Sequence, residues 1–288
     1  MLIKSFSFLF VILWSSAFIT SKIIVENSSP FFSLTIRFII VALGFLLFIF
    51  LSKESIFIKI NDIYKSFISG ILFHGIYLGG VFFSISLGFP ASTSALIVSL
   101  QPILTNLLAG PVLNESITWK QWVGISLGFL GTLIVLGLDT HSNISSIAIV
   151  SIFVALFAST AAVLWQKKIS NNVSLIVSNF YQAIGASIFL FIMTIFIEVP
   201  YINLTLNFVL SMSWQILIIS FGAFTILMYL IKHDSASKTS NLFFLVPPVS
   251  ALMAWQLLDE VLTIFDIMGL IICSAGVYLA AKENKSTI

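Results

Sequence analysis

Few residues of this chain could do chemistry on a ligand, and most of them stand in apolar runs. Arg37 is the single arginine and lies inside one such run. A cation there is costly and faces either a cavity or a partner. Its chemistry would be attraction of a carboxylate or another anionic group. The bland alternative is a side chain that snorkels to lipid headgroups. His74 is mid-run too. It could bind a ligand or titrate near neutral pH, or simply hydrogen-bond a neighbouring carbonyl. Gly70, His74, Tyr77 and Val81 share one helix face by i, i+4, i+7 spacing. Trp14, Tyr77, Tyr181 and Tyr229 offer aromatic surface with a polar tip, although Trp and Tyr also belt membrane interfaces. Trp165, beside Lys167 and Lys168, reads as interfacial. Gln101, Gln182 and Asn241 are amides in otherwise apolar stretches and could add ligand contacts.

Catalysis lacks its parts. An enzyme needs convergent acids, bases or metal ligands. The other histidines, His141 and His233, fall in loops at opposite membrane faces. No H-E-x-x-H or Walker A pattern occurs. All 11 acidic residues lie in loops or at the ends of apolar runs, so no carboxylate sits mid-membrane. Proton antiport driven by an embedded carboxylate is therefore not expected; uniport or exchange is. Neither a metal nor a cofactor is called for.

The elements that position these residues follow from composition. Charged residues make up 8% of the chain, against about 25% in soluble domains. Such a chain cannot cover a surface facing water, so its solvent is lipid. The net charge of +2 gives no basis for binding nucleic acid. The single cysteine, Cys273, precludes an internal disulfide. The first apolar run is longer than a signal-peptide core and reads as a retained helix. A bilayer core needs roughly 20 apolar residues per helix. That length predicts ten spans, at 5–25, 32–51, 64–87, 91–111, 119–137, 145–166, 174–197, 208–231, 236–257 and 263–281. With the N-terminus inside, 11 of the 13 basic residues fall on the cytoplasmic side. Both termini are then cytoplasmic.

The stretch from Ala91 to Gly131 recurs from Ala236 to Gly276 without a gap, at an offset of 145 (236 − 91). Pro102 meets Pro247, Glu115 meets Glu260, and Gly124 meets Gly269. Glu115 and Glu260 read as helix-end acids favoured by the macrodipole, without a ligand role. Five spans per half is odd, so the halves enter the membrane from opposite sides. The expected fold is an all-α membrane protein of ten transmembrane helices in two inverted five-helix repeats, 1–138 and 145–285. Inverted repeats around a central site are a physical basis for alternating access. The offset also places Gln182 opposite Arg37. Pro102 and Pro247 remove backbone bonds at matched positions and could hinge their helices.

These residues carry a resemblance. Trp14-Ser15-Ser16, Arg37-Phe38, Ala91-Ser92-Thr93-Ser94-Ala95, Pro102, Asn114-Glu115, Thr118, Gly124 and Gly131, with the second-half repeats, resemble the EamA family of the drug/metabolite transporter superfamily. The resemblance implies a cavity lined by spans 1–4 and 6–9, with spans five and ten as scaffold. It also implies a permease of the bacterial inner membrane that works outward; for its substrate the resemblance says little, and Arg37 puts a small metabolite, an amino acid or related carboxylate, first. Efflux of amphipathic compounds is the alternative, ahead of a membrane enzyme or a channel. The expected partners are the small-molecule substrate and membrane lipid, in a monomer or homodimer. The expected site is Trp14, Arg37, His74, Tyr77, Gln101, Tyr181, Gln182, Tyr229 and Asn241, with Pro102 and Pro247 as hinges.

Overall fold

In lipid every backbone polar group must be satisfied within the chain, and a helix does so by itself. A computed structural model describes residues 2–113, 119–138, 144–169, 173–233, 242–243, 246–259 and 261–281, and these are helical nearly throughout. Among the described residues, six helices are long and apolar enough to cross a membrane. They belong to α1 (Leu2–Asn27), α2 (Pro30–Ser52), α3 (Ile60–Ser86), α7 (Ser146–Ile169), α8 (Leu175–Ile197) and α9 (Leu206–Lys232). Shorter helices complete the described chain: α4 (Ala91–Val98), α5 (Gln101–Leu113), α6 (Trp119–Leu138), α10 (Val246–Leu257) and α11 (Ile264–Ala281). The bounds fall within a few residues of the predicted spans, except where 236–245 are largely outside the described residues.

Local chemistry sets several ends. Pro30 opens α2, where its missing N–H is no loss, and Lys53 closes it in the left-handed region at φ 55°. Thr205 caps α9, its hydroxyl accepting from Phe208 N at 3.2 Å. The fourth predicted span is broken. Ser99 and Leu100 part α4 from α5, and Pro102 is the second residue of α5. Pro247 is likewise the second residue of α10.

Two helices widen in the middle. Ile71–Leu78 of α3 and Gln215–Ala223 of α9 are π-helical, with i→i+5 bonding. Under the repeat offset, 71–78 maps onto 216–223.

Packing follows the small residues. α2 and α8 run along each other, α3 crosses α8 and α7, and α6 packs chiefly on α11. At the α3–α8 crossing a Cβ on Gly70 would collide with the Gln182 carbonyl, and one on Gly185 would lie 2.5 Å from Phe67 O. The backbones therefore touch, as small residues permit in membrane bundles. Ser66 and Ser178 hydroxyls meet there at 3.1 Å, and Ser69 donates to Gln166 Oε1 at 2.7 Å.

At one end of the bundle two loops are stitched. Ser28 and Ile202 form an antiparallel bridge. Ser29 N donates to Tyr201 O at 3.1 Å and Asn203 N to Asn27 O at 2.7 Å. The Glu198 carboxylate accepts from Phe32 N at 2.6 Å and Phe31 N at 3.2 Å, at the start of α2. Burial pushes this carboxyl above the usual carboxylate range, while those amides and the Ser29 hydroxyl pull it back.

Candidate functional site

The helices α1, α2, α3 and α9 surround a cavity at their middle. It is a crevice with a volume of about 20 Å³, room for about one water molecule. α1 contributes Trp14, Ala17, Phe18 and Ser21; α2 contributes Arg37. The π-helical part of α3 contributes His74, Tyr77 and Leu78, followed by Val81 and Phe82. From α9 come Gln215, Ile219, Ser220 and Phe224. Each widened segment thus lies on the cavity, where a π turn re-aims side chains that an α turn would bury elsewhere.

Arg37 is 2% exposed and turned inward, not toward the membrane surface. Its Nε and Nη2 donate to Ser220 Oγ at 3.1 and 3.0 Å. The Ser220 hydroxyl in turn donates to Gln215 O at 3.0 Å, five residues back. The guanidinium carbon lies 5.1 Å from the Phe38 ring centroid, a cation–π arrangement. Nη1 has no partner among the described residues. One fork of the guanidinium is fixed to protein, and a donor is left over.

His74 is held by rings. Its centroid lies 4.5 Å from Phe38, 4.4 Å from Phe224 and 5.7 Å from Phe73. Its Nδ1 also lacks a partner among the described residues. Trp14 and Tyr77 both pack edge-on to Phe73, at 6.2 and 5.5 Å. Most of the wall is hydrocarbon.

Gln215 was not foreseen from the sequence, nor were Ser220 and Ser21. Gln215 Nε2 donates to Ala17 O at 2.9 Å and Thr20 Oγ1 at 2.8 Å. Its Oε1 is buried without a partner among the described residues. A lone amide in an apolar span was the available signal.

The structure therefore brings four of the expected site residues together: Trp14, Arg37, His74 and Tyr77. It places others elsewhere. Gln182 does not face Arg37; it lies at the α3–α8 crossing, with Nε2 donating to Ser178 Oγ at 3.1 Å. Tyr181 reaches the loop before α3, its hydroxyl donating to Ile56 O at 2.9 Å. Tyr229 packs edge-on against Phe6 at 6.1 Å. Gln101 is buried and donates to Thr105 Oγ1 at 3.0 Å, spent within its own helix. Asn241, Glu115 and Glu260 lie outside the described residues. Trp165 donates to Lys65 O at 2.9 Å, away from the cavity.

Comparison with known proteins accords with this geometry. The family model of the EamA-like transporter family matches twice, over residues 2–137 and 146–282. An uncharacterized transporter of Archaeoglobus fulgidus is 27% identical over 282 residues, covering 95% of this chain and 96% of its own. A Bacillus subtilis relative, also an uncharacterized transporter, is 27% identical over 287 residues, 94% and 91% of the two chains. A probable amino-acid metabolite efflux pump of Escherichia coli is 21% identical over 284 residues, 94% and 92%. A solved crystal structure, 16% identical, superposes with a TM-score of 0.71 over 96% of each chain and shares the fold. With matches in both halves, the chain belongs to the EamA-like transporter family: it is a multi-pass membrane transporter and not an enzyme.

Proposed function

We propose that this transporter carries a small carboxylate-bearing metabolite, an amino acid first, out of the cell across the inner membrane. Ten spans in two inverted repeats, with both termini cytoplasmic, would alternate around the cavity. The paired family matches and the 145-residue offset support two repeats. Lysine placement supports the orientation. The names of the Escherichia coli and Salmonella typhimurium relatives, probable amino-acid metabolite efflux pumps, support substrate class and direction.

The observation that carries the reading is Arg37. It is buried, braced by Ser220, and presents an unpartnered Nη1 at a cavity. Ground-state neutralisation by a protein acid is not on offer, since among the described cavity residues none is acidic. A substrate carboxylate would supply the missing charge. His74, Trp14 and Tyr77 shape the remaining wall. Pro102, just after the Ser99–Leu100 break, and Pro247, the second residue of α10, are where the fourth and ninth spans would flex.

The crevice-like cavity bears on mechanism. A substrate of several heavy atoms needs the aromatic wall to part, which suits a closed stage of a cycle. The apolar wall also favours a second reading, efflux of amphipathic compounds. Reconstituted Arg37→Ala separates the two. Hydrogen bonds to charged groups contribute about 1.5–3 kcal/mol, so uptake of a carboxylate into vesicles should fall at least about tenfold while a neutral amphipath is spared. Equal transport of both by the variant would remove the carboxylate reading.

A further inference from the structure

We infer that Gln215 selects the substrate's second polar group: its Oε1 accepts from an ammonium beside the carboxylate, so the cavity reads a zwitterion rather than a plain acid. This rests on the reading that Arg37 Nη1 receives the carboxylate.

The amide's orientation is decided by its other end. Nε2 points at two oxygens of α1, the Ala17 carbonyl and the Thr20 hydroxyl. Flipping the amide would set Oε1 against the Ala17 carbonyl, two acceptors with no proton between them. Oε1 is therefore fixed, and it is the acceptor left over in a side chain that is 1% exposed. A buried amide oxygen without a partner is costly, and buried polar atoms as a rule find one.

Arg37 and Gln215 are parts of one unit. Ser220 accepts from the guanidinium and donates to the Gln215 backbone, so the π turn between 215 and 220 sets both groups on the same wall. One supplies an unpartnered donor with positive charge, the other an unpartnered neutral acceptor. An α-amino acid carries the two complements on adjacent atoms. Phe18, Val81, Phe82 and Ile219 leave hydrocarbon for its side chain. A simple amine is disfavoured, because Arg37 repels it and no acid in the described wall offsets that repulsion. A plain carboxylate satisfies Arg37 and strands Oε1. A site built to bond a group rejects the analogue that lacks it.

The test is equilibrium binding to the purified full-length protein in detergent. Valine, leucine and phenylalanine are each compared with the des-amino analogue: 3-methylbutanoate, 4-methylpentanoate and 3-phenylpropanoate. At least one amino acid should bind about tenfold or more tighter than its analogue, with the 2-hydroxy acid between them. Gln215→Met, of similar length without the amide, should bring the ratio toward unity. If acid and amino acid bind alike in the wild type, Gln215 has no such role and the carboxylate reading stands. If none of the six compounds binds, both readings fall. If the wild type discriminates and folded Gln215→Met discriminates equally, another group reads the ammonium and the inference is overturned. Should Gln215→Met fail to fold, Gln215→Asn, which keeps the amide but draws it back by one carbon, takes its place with the same two outcomes.

Discussion

The widened segments of α3 and α9 are counterparts in the repeat, yet they are held by different physics. Ile71–Leu78 is flanked by contact between backbones. Gly70 touches the Gln182 carbonyl, a Cβ on Gly75 would lie 2.7 Å from the Phe189 ring, and one on Gly80 would lie 3.0 Å from Ser151 O. Gln215–Ala223 is held by directed hydrogen bonds: Gln215 to α1, and Ser220 to Arg37 of α2. The same backbone irregularity is thus buttressed by packing in one half and by hydrogen bonds in the other. Duplication explains the shared bend, and the divergence of side chains makes a lopsided site. A polar molecule with distinct ends needs such a site.

That contrast can be broken from either side. The largest effect is expected at Gly70→Val. Its Cβ meets backbone, which cannot swing away, so the α3–α8 crossing must separate. A loss of more than about 4 kcal/mol, in the range of exceptional substitutions, should appear as absence of folded protein in size-exclusion chromatography. A well-folded Gly70→Val would show that the crossing is loose.

Ser220→Ala should be smaller and different in kind. It deletes the acceptor for two guanidinium donors and leaves the helix intact. About 1.5–3 kcal/mol of bracing is lost, so carboxylate binding should weaken roughly tenfold and the melting temperature should fall by only a few degrees. Ser220→Thr, keeping the hydroxyl, should recover most of the binding. Failure of threonine to rescue would mean that Ser220 acts by size and not by bonding.

The smallest effect belongs to the stitched loops. Burial raises the Glu198 carboxyl above its unfolded value. A raised acid binds its proton more tightly when folded. Its contribution to stability is therefore greatest below the ordinary carboxylate range and declines as pH rises through the folded value. Glu198→Gln should remove that slope from melting temperature against pH measured on the purified protein. A slope unchanged in the variant would assign it to another group.

Much of this was legible in the sequence because lipid imposes a length. Runs of apolar residues near 20 long gave helix bounds close to those observed, for example 32–51 against Pro30–Ser52. Arg37, His74, Tyr77 and Trp14 were legible as chemistry out of place. Gln182 went astray because the offset equates positions within a repeat, and two such positions need not face each other. In this fold Gln182 packs against Gly70 of α3 and is not among the residues that line the cavity. Gln215 was missed for a related reason. Its counterpart by the offset is Gly70, a packing residue, so the repeat gave no hint of a polar role. The π segments carry no sequence motif that marks them; both are simply more apolar than their flanks. Hydrogen-bond register is set by what a helix packs on.

The pairing of Ser28 with Ile202 has a consequence for how the chain can vary. Main-chain bonds ignore which side chain is mounted on them. Residues 28, 202 and 203 are therefore freer to drift in identity than Asn27 and Ser29, whose side chains accept from Thr205 Oγ1 and Tyr201 N, each at 3.0 Å. Their spacing has no such freedom. One inserted residue in either turn would slide the seam out of step and pull Glu198 from the head of α2.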